Sequence, residues 1–230
     1  MDVKQELFAY TGEQLSALEI TLSPDRLQPY AVLAGNDKLL SIKLYEWNTG
    51  LSESFYGLLQ GLEVSLRNAM HSALCAECGR QDWYEVYPLS DPHKDMIRKA
   101  KARILGDKKP LIPGKVVSEM TFGFWVVLTS PPYAQTVWDK ALHKAFVRKL
   151  GRKAIHRRLE KIRKLRNRVA HHESILERNL KDDFSLIVET VHWICPVTAA
   201  WLRANNSFHS RYAEKPETPN GNSVAIPKSK

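Results

Sequence analysis

From Asp37 onward, apolar residues recur at Leu40, Leu44, Trp47, Leu51, Phe55, Leu58, Leu59, Leu62, Leu66, Ala69 and Ala73. Steps of three and four residues put most of these side chains on one face of an α-helix. The spacing predicts a single long helix reaching into the seventies, with Thr49 and Gly50 as the places where it bends. A stripe of that length must be covered, and the rest of the chain offers only helices for the task. No segment combines strict alternation with β-branched enrichment over the length of a strand. The fold class is read as all-α, with roughly seven to nine helices.

Local punctuation places the other helices. Thr11 caps a short helix carrying Leu15 and Leu18, and Ser23 followed by Pro24 opens the next, which stops at Gly35 and Asn36. Asp91 and Pro92 start a basic helix that ends in a loop between Lys108 and Gly114. The most apolar stretch, Gly114 to Leu128, reads as a buried helix closed by Ser130, Pro131 and Pro132. Further helices are expected near Ala134 to Leu150, Arg152 to His172 and Leu176 to Asn205, the last kinked or interrupted at Pro196. Residues 213–230 hold three prolines, a glycine and no aromatic ring, which reads as a flexible tail. The organisation is thus one domain over 1–212, with 1–36 as an N-terminal helical extension.

With 230 residues, 43% of them hydrophobic and 26% charged, the chain can bury its own core, which excludes wholesale disorder and a disulfide scaffold. Three cysteines and an N-terminus without a basic, then apolar, leader are read as reduced thiols in a cytoplasmic protein. No apolar run approaches the ~20 residues that span a bilayer, so no membrane partner is expected. The formal net charge is +9, but it is concentrated. Between Lys144 and Arg168, twelve basic residues are opposed by Glu160 alone, a balance of +11 that leaves −2 for the remainder. A surface meeting a phosphate backbone has this character, although solvated helix faces, membrane-surface helices and calmodulin-type helices share it. The candidate RNA-binding residues are Arg148, Lys149, Arg152, Lys153, Arg157, Arg158, Lys161, Lys164 and Arg168.

The chemistry is sought in the second half of that basic helix, Lys161 to Glu173. Ile155, Leu159, Ile162, Leu165 and Val169 form its apolar face, which is expected to leave Arg166, Asn167, Arg168 and His171 around the other side. On an ideal helix Arg166 and His171 diverge by about 140° and about 7.5 Å, so the reach of arginine is needed to bring both to one phosphate. Histidine can take a proton from a ribose 2′-OH or return one to a leaving 5′-oxygen, and a guanidinium can grip phosphate oxygens. Together they suffice for RNA scission with no metal or cofactor, giving a 2′,3′-cyclic phosphate. The plain alternative is a set of surface polar residues, His172 and Glu173 adding a local charge pair.

Arg166-Asn167-Arg168-Val169-Ala170-His171 is similar to the Arg-Asn-x3-His form of the motif that marks the HEPN superfamily. Its members are all-α and often metal-independent endoribonucleases. Leu44 to Asn48, Leu62 to His71 and Glu119 to Trp125 resemble, in order, successive blocks of the Abi-like proteins, the AbiD/AbiF-type abortive-infection family of bacteria. The resemblance spans roughly Leu39 to Trp201. It implies a HEPN-like helical bundle, a toxin-like hydrolase active in antiviral defence, catalytic roles for Arg166, Asn167 and His171, and a homodimer that brings two motif sets together. An antitoxin or a regulatory RNA is a further possible partner.

A second polar group lies in the long helix. Glu63, Arg67 and His71 step by four, with Asn68 beside them. Glu63 is expected to hold Arg67 by a helix ion pair, and Arg67, Asn68 and His71 to contact phosphate or support His171, with a packing network as the alternative reading. Cys75 and Cys78 form one C-x2-C next to His71, too few ligands for structural zinc. Most tryptophans, Trp201 included, read as core; Trp83, Tyr84 and Tyr87 could stack on unpaired bases, with ordinary packing under a loop as the favoured reading. Three functions therefore stand side by side: a metal-independent RNase, a non-catalytic RNA-binding module, and a helical interaction protein with a basic surface. A DNA-binding repressor is a weaker fourth, since no helix-turn-helix pairing is evident.

Overall fold

A computed structural model describes residues 8–148 and 150–217. Within them the chain forms ten α-helices joined by turns and short 3-10 and π segments. Helix α1 (Gly12–Leu22) begins with a capping box in which Thr11 Oγ1 accepts from the Gln14 amide and Gln14 Oε1 accepts from the Thr11 amide. Helix α2 (Pro24–Leu33) has Ser23 at its N-cap and Pro24 at its first position, and the turn after it uses positive φ at Gly35 and Asn36. The Asp37 carboxylate then accepts from the Leu40 amide at 2.7 Å and opens α3 (Lys38–Cys78), 41 residues without interruption. The remaining helices are α4 (Asp91–Gly106), α5 (Pro113–Glu119), α6 (Phe122–Val127), α7 (Arg152–Ala170), α8 (Leu180–His192), α9 (Pro196–Ala204) and α10 (Phe208–Ala213).

These elements make two compact units. The first takes α1, α2, α3 as far as Phe55, the segment Arg168–Leu180 and the chain from Ser207. In it the Trp47 indole N–H donates to the Arg211 carbonyl at 2.7 Å, and Phe208 packs edge-on to Phe55 at 5.2 Å. The buried side chain of Asn48 accepts from the Ile175 amide at 2.8 Å, tying the turn after α7 to α3. The second unit takes Tyr56–Asn167 and Lys181–Asn206. Its core holds Leu58, Leu62, Leu66, Met70, Trp83, Phe124 and Trp125 of the first stretch and Ile155, Leu159, Ile162 and Leu165 of α7. At Gly61 an added Cβ would lie 2.5 Å from Leu202 Cδ2, so the missing side chain is what lets α9 press against α3.

Three expected helices take another form. Gly114 to Leu128 divides into α5 and α6, because Met120 is extended and Thr121 accepts from the Phe124 amide to start a new helix. Ala134 to Leu150 is instead a π segment, Ala134–Trp138, and a 3-10 segment, Leu142–Ala145. His143 Nδ1 occupies the Trp138 carbonyl that the Leu142 amide would need in an α-helix, and the Val147 amide pairs with the Trp193 carbonyl at 2.7 Å. The last expected helix becomes α8 and α9, with Pro196 at the first position of the second. The two divisions each add a helix, the segment after Ala134 removes one, and α10, which the sequence reading does not place, brings the described residues to ten. Of the tail, 218–230 lies outside the described residues.

His93, on α4, is buried among aromatic rings. Its Nδ1 lies 2.8 Å from the Tyr133 hydroxyl and 3.0 Å from that of Ser90, while Nε2 has no partner among the described residues. Burial pushes its pKa below the ordinary 6.5, and burial together with the Arg67 charge does the same for His71. The unfolded chain then binds more protons below pH 6.5, so stability from this source is complete above that value and falls as the pH drops through it. Chemical denaturation from pH 7.5 down to 5 should show a declining midpoint, and His93→Gln should flatten part of the decline; an unchanged slope would contradict this account.

Candidate functional site

In the second unit, α7 presents its charges in two different ways. Lys153, Arg157, Lys161 and Lys164 are all exposed. At about 100° per residue they fall within a sector of about 80°, a ladder about 16 Å long. Arg148 is exposed just before the helix, and Lys149 lies outside the described residues. Two other members of the expected RNA-binding set are engaged internally. Arg152 Nη1 donates to the Thr129 carbonyl at 2.8 Å. Arg158 pairs with Glu189 and lies 4.1 Å from the centre of the Trp193 ring, with its Nε buried. Aromatic stacking and a carboxylate partner commit that guanidinium to packing.

Arg166 is also placed differently from the expectation. Eleven residues after Ile155, it is about 20° from it around the helix, on the apolar side rather than opposite. Its Nε lies 3.8 Å from Glu63 Oε2 of α3. Glu63 thus faces Arg166 where the sequence pattern had paired it with Arg67, because α7 packs alongside this face of α3. The terminal nitrogens of Arg166 make no hydrogen bond among the described residues. Asn167 is half-exposed.

The other members of the α3 stripe are divided in role. Arg67 reaches the Ser118 carbonyl and Asn68 Oδ1, both at 3.5 Å, the limit of a hydrogen bond. Asn68 is exposed. His71 is held by the indole of Trp83, whose N–H donates to Nδ1 at 2.9 Å, with Cys75 Sγ 3.6 Å from the ring. Burial, and then the charges of Cys78 and Asp82, push the Cys75 thiol up and keep it protonated. Trp83 and Tyr84 are buried, which leaves packing rather than base stacking as their use, and Tyr87 is half-buried. Trp201, expected in the core, is 60% exposed on α9.

In the first unit lies the end of α7. The helix stops at Ala170, two residues before the expected end. The His172 amide donates to the Val169 carbonyl at 3.2 Å and the Glu173 amide to the Arg168 carbonyl at 2.9 Å. These are the two bonds of a Schellman cap, and His172 occupies its left-handed position with φ 56°. Arg168 Nη1 donates to the Ser174 carbonyl at 3.1 Å, and its Nε lies 4.0 Å from Glu173, so it too is partly engaged. Arg26 of α2 carries no signal in the sequence pattern. Its Nη1 donates to the carbonyls of His172, at 2.6 Å, and His171, at 3.3 Å. No local pattern marks a contact across 145 residues. The imidazole of His171 is exposed and makes no hydrogen bond among the described residues.

Comparison with family models, with curated proteins and with solved structures finds no match to the chain. Because the left-handed backbone at His172 costs a residue with a Cβ about 1 kcal/mol relative to glycine, His172→Gly should raise the unfolding free energy by about that amount. Urea titration measures it, and a destabilised variant would show that the histidine side chain contributes more than the backbone strain removes.

Proposed function

We propose that this chain is a metal-independent endoribonuclease of a bacterial abortive-infection system, in the manner of the HEPN and Abi-like proteins that its motifs resemble. The observation that carries the reading is His171: a fixed backbone at the end of a strongly basic helix, and an imidazole left open to solvent. In the proposed reaction His171 accepts the proton of a ribose 2′-OH as that oxygen attacks the neighbouring phosphorus. The P–O5′ bond breaks, the 5′-oxygen takes up a proton from an acid, and a 2′,3′-cyclic phosphate remains. Arg166 binds the non-bridging oxygens through its terminal nitrogens, with Glu63 on its Nε side. A second copy of the chain in a homodimer would supply the acid. An antitoxin or a regulatory RNA would restrain the activity in uninfected cells.

The basic ladder of α7 favours a second reading, RNA binding without scission, because Lys153, Arg157, Lys161 and Lys164 are exposed whatever His171 does. Purified wild-type and His171→Ala protein incubated with mixed RNAs in excess EDTA separate the two. Cleavage with cyclic-phosphate ends in the wild type alone supports the nuclease, and equal binding without cleavage supports the binding module. Replacing the four ladder residues by glutamine should weaken binding for all sequences and reduce the slope of log affinity against log salt by about 0.7 for each phosphate no longer neutralised. An unchanged slope would remove the ladder from the interface.

A further inference from the structure

We infer that Arg26 is a positioning residue for His171, and that the N-terminal helices are therefore a working part of the site rather than an extension added to it. This rests on the nuclease reading of His171 for its functional half. The last carbonyls of an α-helix have no partner within the helix and carry the negative end of its dipole. At the end of α7 the Schellman bonds satisfy Arg168 and Val169, while the carbonyls of His171 and His172 have no backbone donor among the described residues. Arg26 closes on both, and a cation there meets the dipole as well as the lone pairs.

The rest of the turn is held from other directions. Arg168 binds the carbonyl of Ser174, and Asn48 of α3 binds the amide of Ile175. The backbone on the C-terminal side of His171 is thus tied at 171, 172, 174 and 175. The imidazole itself is bonded to nothing among the described residues. Support of the main chain with freedom of the ring is what a group that must meet a substrate needs.

Backbone strain marks both ends of the contact. His172 has φ 56°, and Ser23, the N-cap of the helix that carries Arg26, has φ 70° and ψ 142°. The second is a conformation that residues with a Cβ seldom adopt. Ser23 Oγ in turn accepts from the Arg26 amide at 3.3 Å, so the strained residue fixes the start of the helix from which Arg26 extends. Two unfavourable backbones at either end of one side-chain contact are retained because the surrounding structure fixes them, and that contact ends on the main chain of His171.

The test compares full-length wild type, Arg26→Ala, Arg26→Lys and His171→Ala. Arg26→Ala should keep its cooperative unfolding and its RNA affinity, lose about 10²-fold in kcat with KM nearly unchanged, and exchange the amides of His172 and Glu173 at least about tenfold faster. Arg26→Lys should restore part of both losses, because an ammonium can still donate to carbonyls. Unaltered exchange at His172 and Glu173 would overturn the positioning role, as would a kcat loss that only tracks the unfolded fraction. If wild type does not cleave RNA, the nuclease reading fails by itself, and amide exchange together with the NMR line width of the His171 ring decides the role of Arg26. Faster exchange and a broadened ring in Arg26→Ala uphold it, and wild-type values refute it.

Discussion

The apolar face of α3 has to be kept from water along its whole length, and most of the fold follows from how that is done. Leu44, Leu51, Phe55, Leu58, Leu62 and Leu66 are all fully buried. Each buried side chain of this size contributes about 1.5–3 kcal/mol, an upper figure because unfolded chains already shield part of such surface. The one helix supplies core to both units, and each covers it separately: Phe208 of α10 against Phe55 in the first, Leu202 of α9 over Gly61 in the second. Shortening or breaking α3 would uncover both cores at once.

Against that apolar framework, the irregular segments are held by side chains bonded to main chain. Asn48 to Ile175, Trp47 to Arg211, Arg152 to Thr129 and Arg26 to the turn after α7 all satisfy backbone groups that no helix or sheet provides for. Arginine is the commonest donor among them. A strongly basic sequence is therefore partly a structural inventory, and its charge cannot be counted as binding surface until the engaged guanidinium groups are subtracted.

Much of the helical layout is legible in the sequence. The periodic stripe of α3, the Thr11 and Ser23 caps and the Asp91-Pro92 start are local signals, decided by residues within one turn of each other. The segment after Ala134 misleads because its apolar spacing fits a helix, while a histidine ring and the Trp193 carbonyl compete for the same backbone groups. Of the site, the basic ladder and the exposure of His171 can be read from spacing, but the expected face of Arg166 is the wrong one. That error comes from treating every charged residue as solvent-facing, when the helical angle alone sets Arg166 beside Ile155, where Glu63 of α3 is its partner. Arg26 has no local signature, since its contact joins distant parts of the chain, and the left-handed cap position is hidden because histidine rather than glycine fills it.

The seating of the Arg158 guanidinium over the Trp193 ring divides the basic residues of α7 into two chemical classes. Along the exposed ladder a positive charge on a flexible stem is enough, so lysine and arginine are interchangeable there. At Arg158 the plane of the guanidinium is as important as its charge, because it must lie on an indole and reach a carboxylate together. Lysine keeps the charge and loses the plane. Substitution tolerance along this helix should therefore alternate with its turns, permissive on the water side and restrictive where a planar cation is built into the packing.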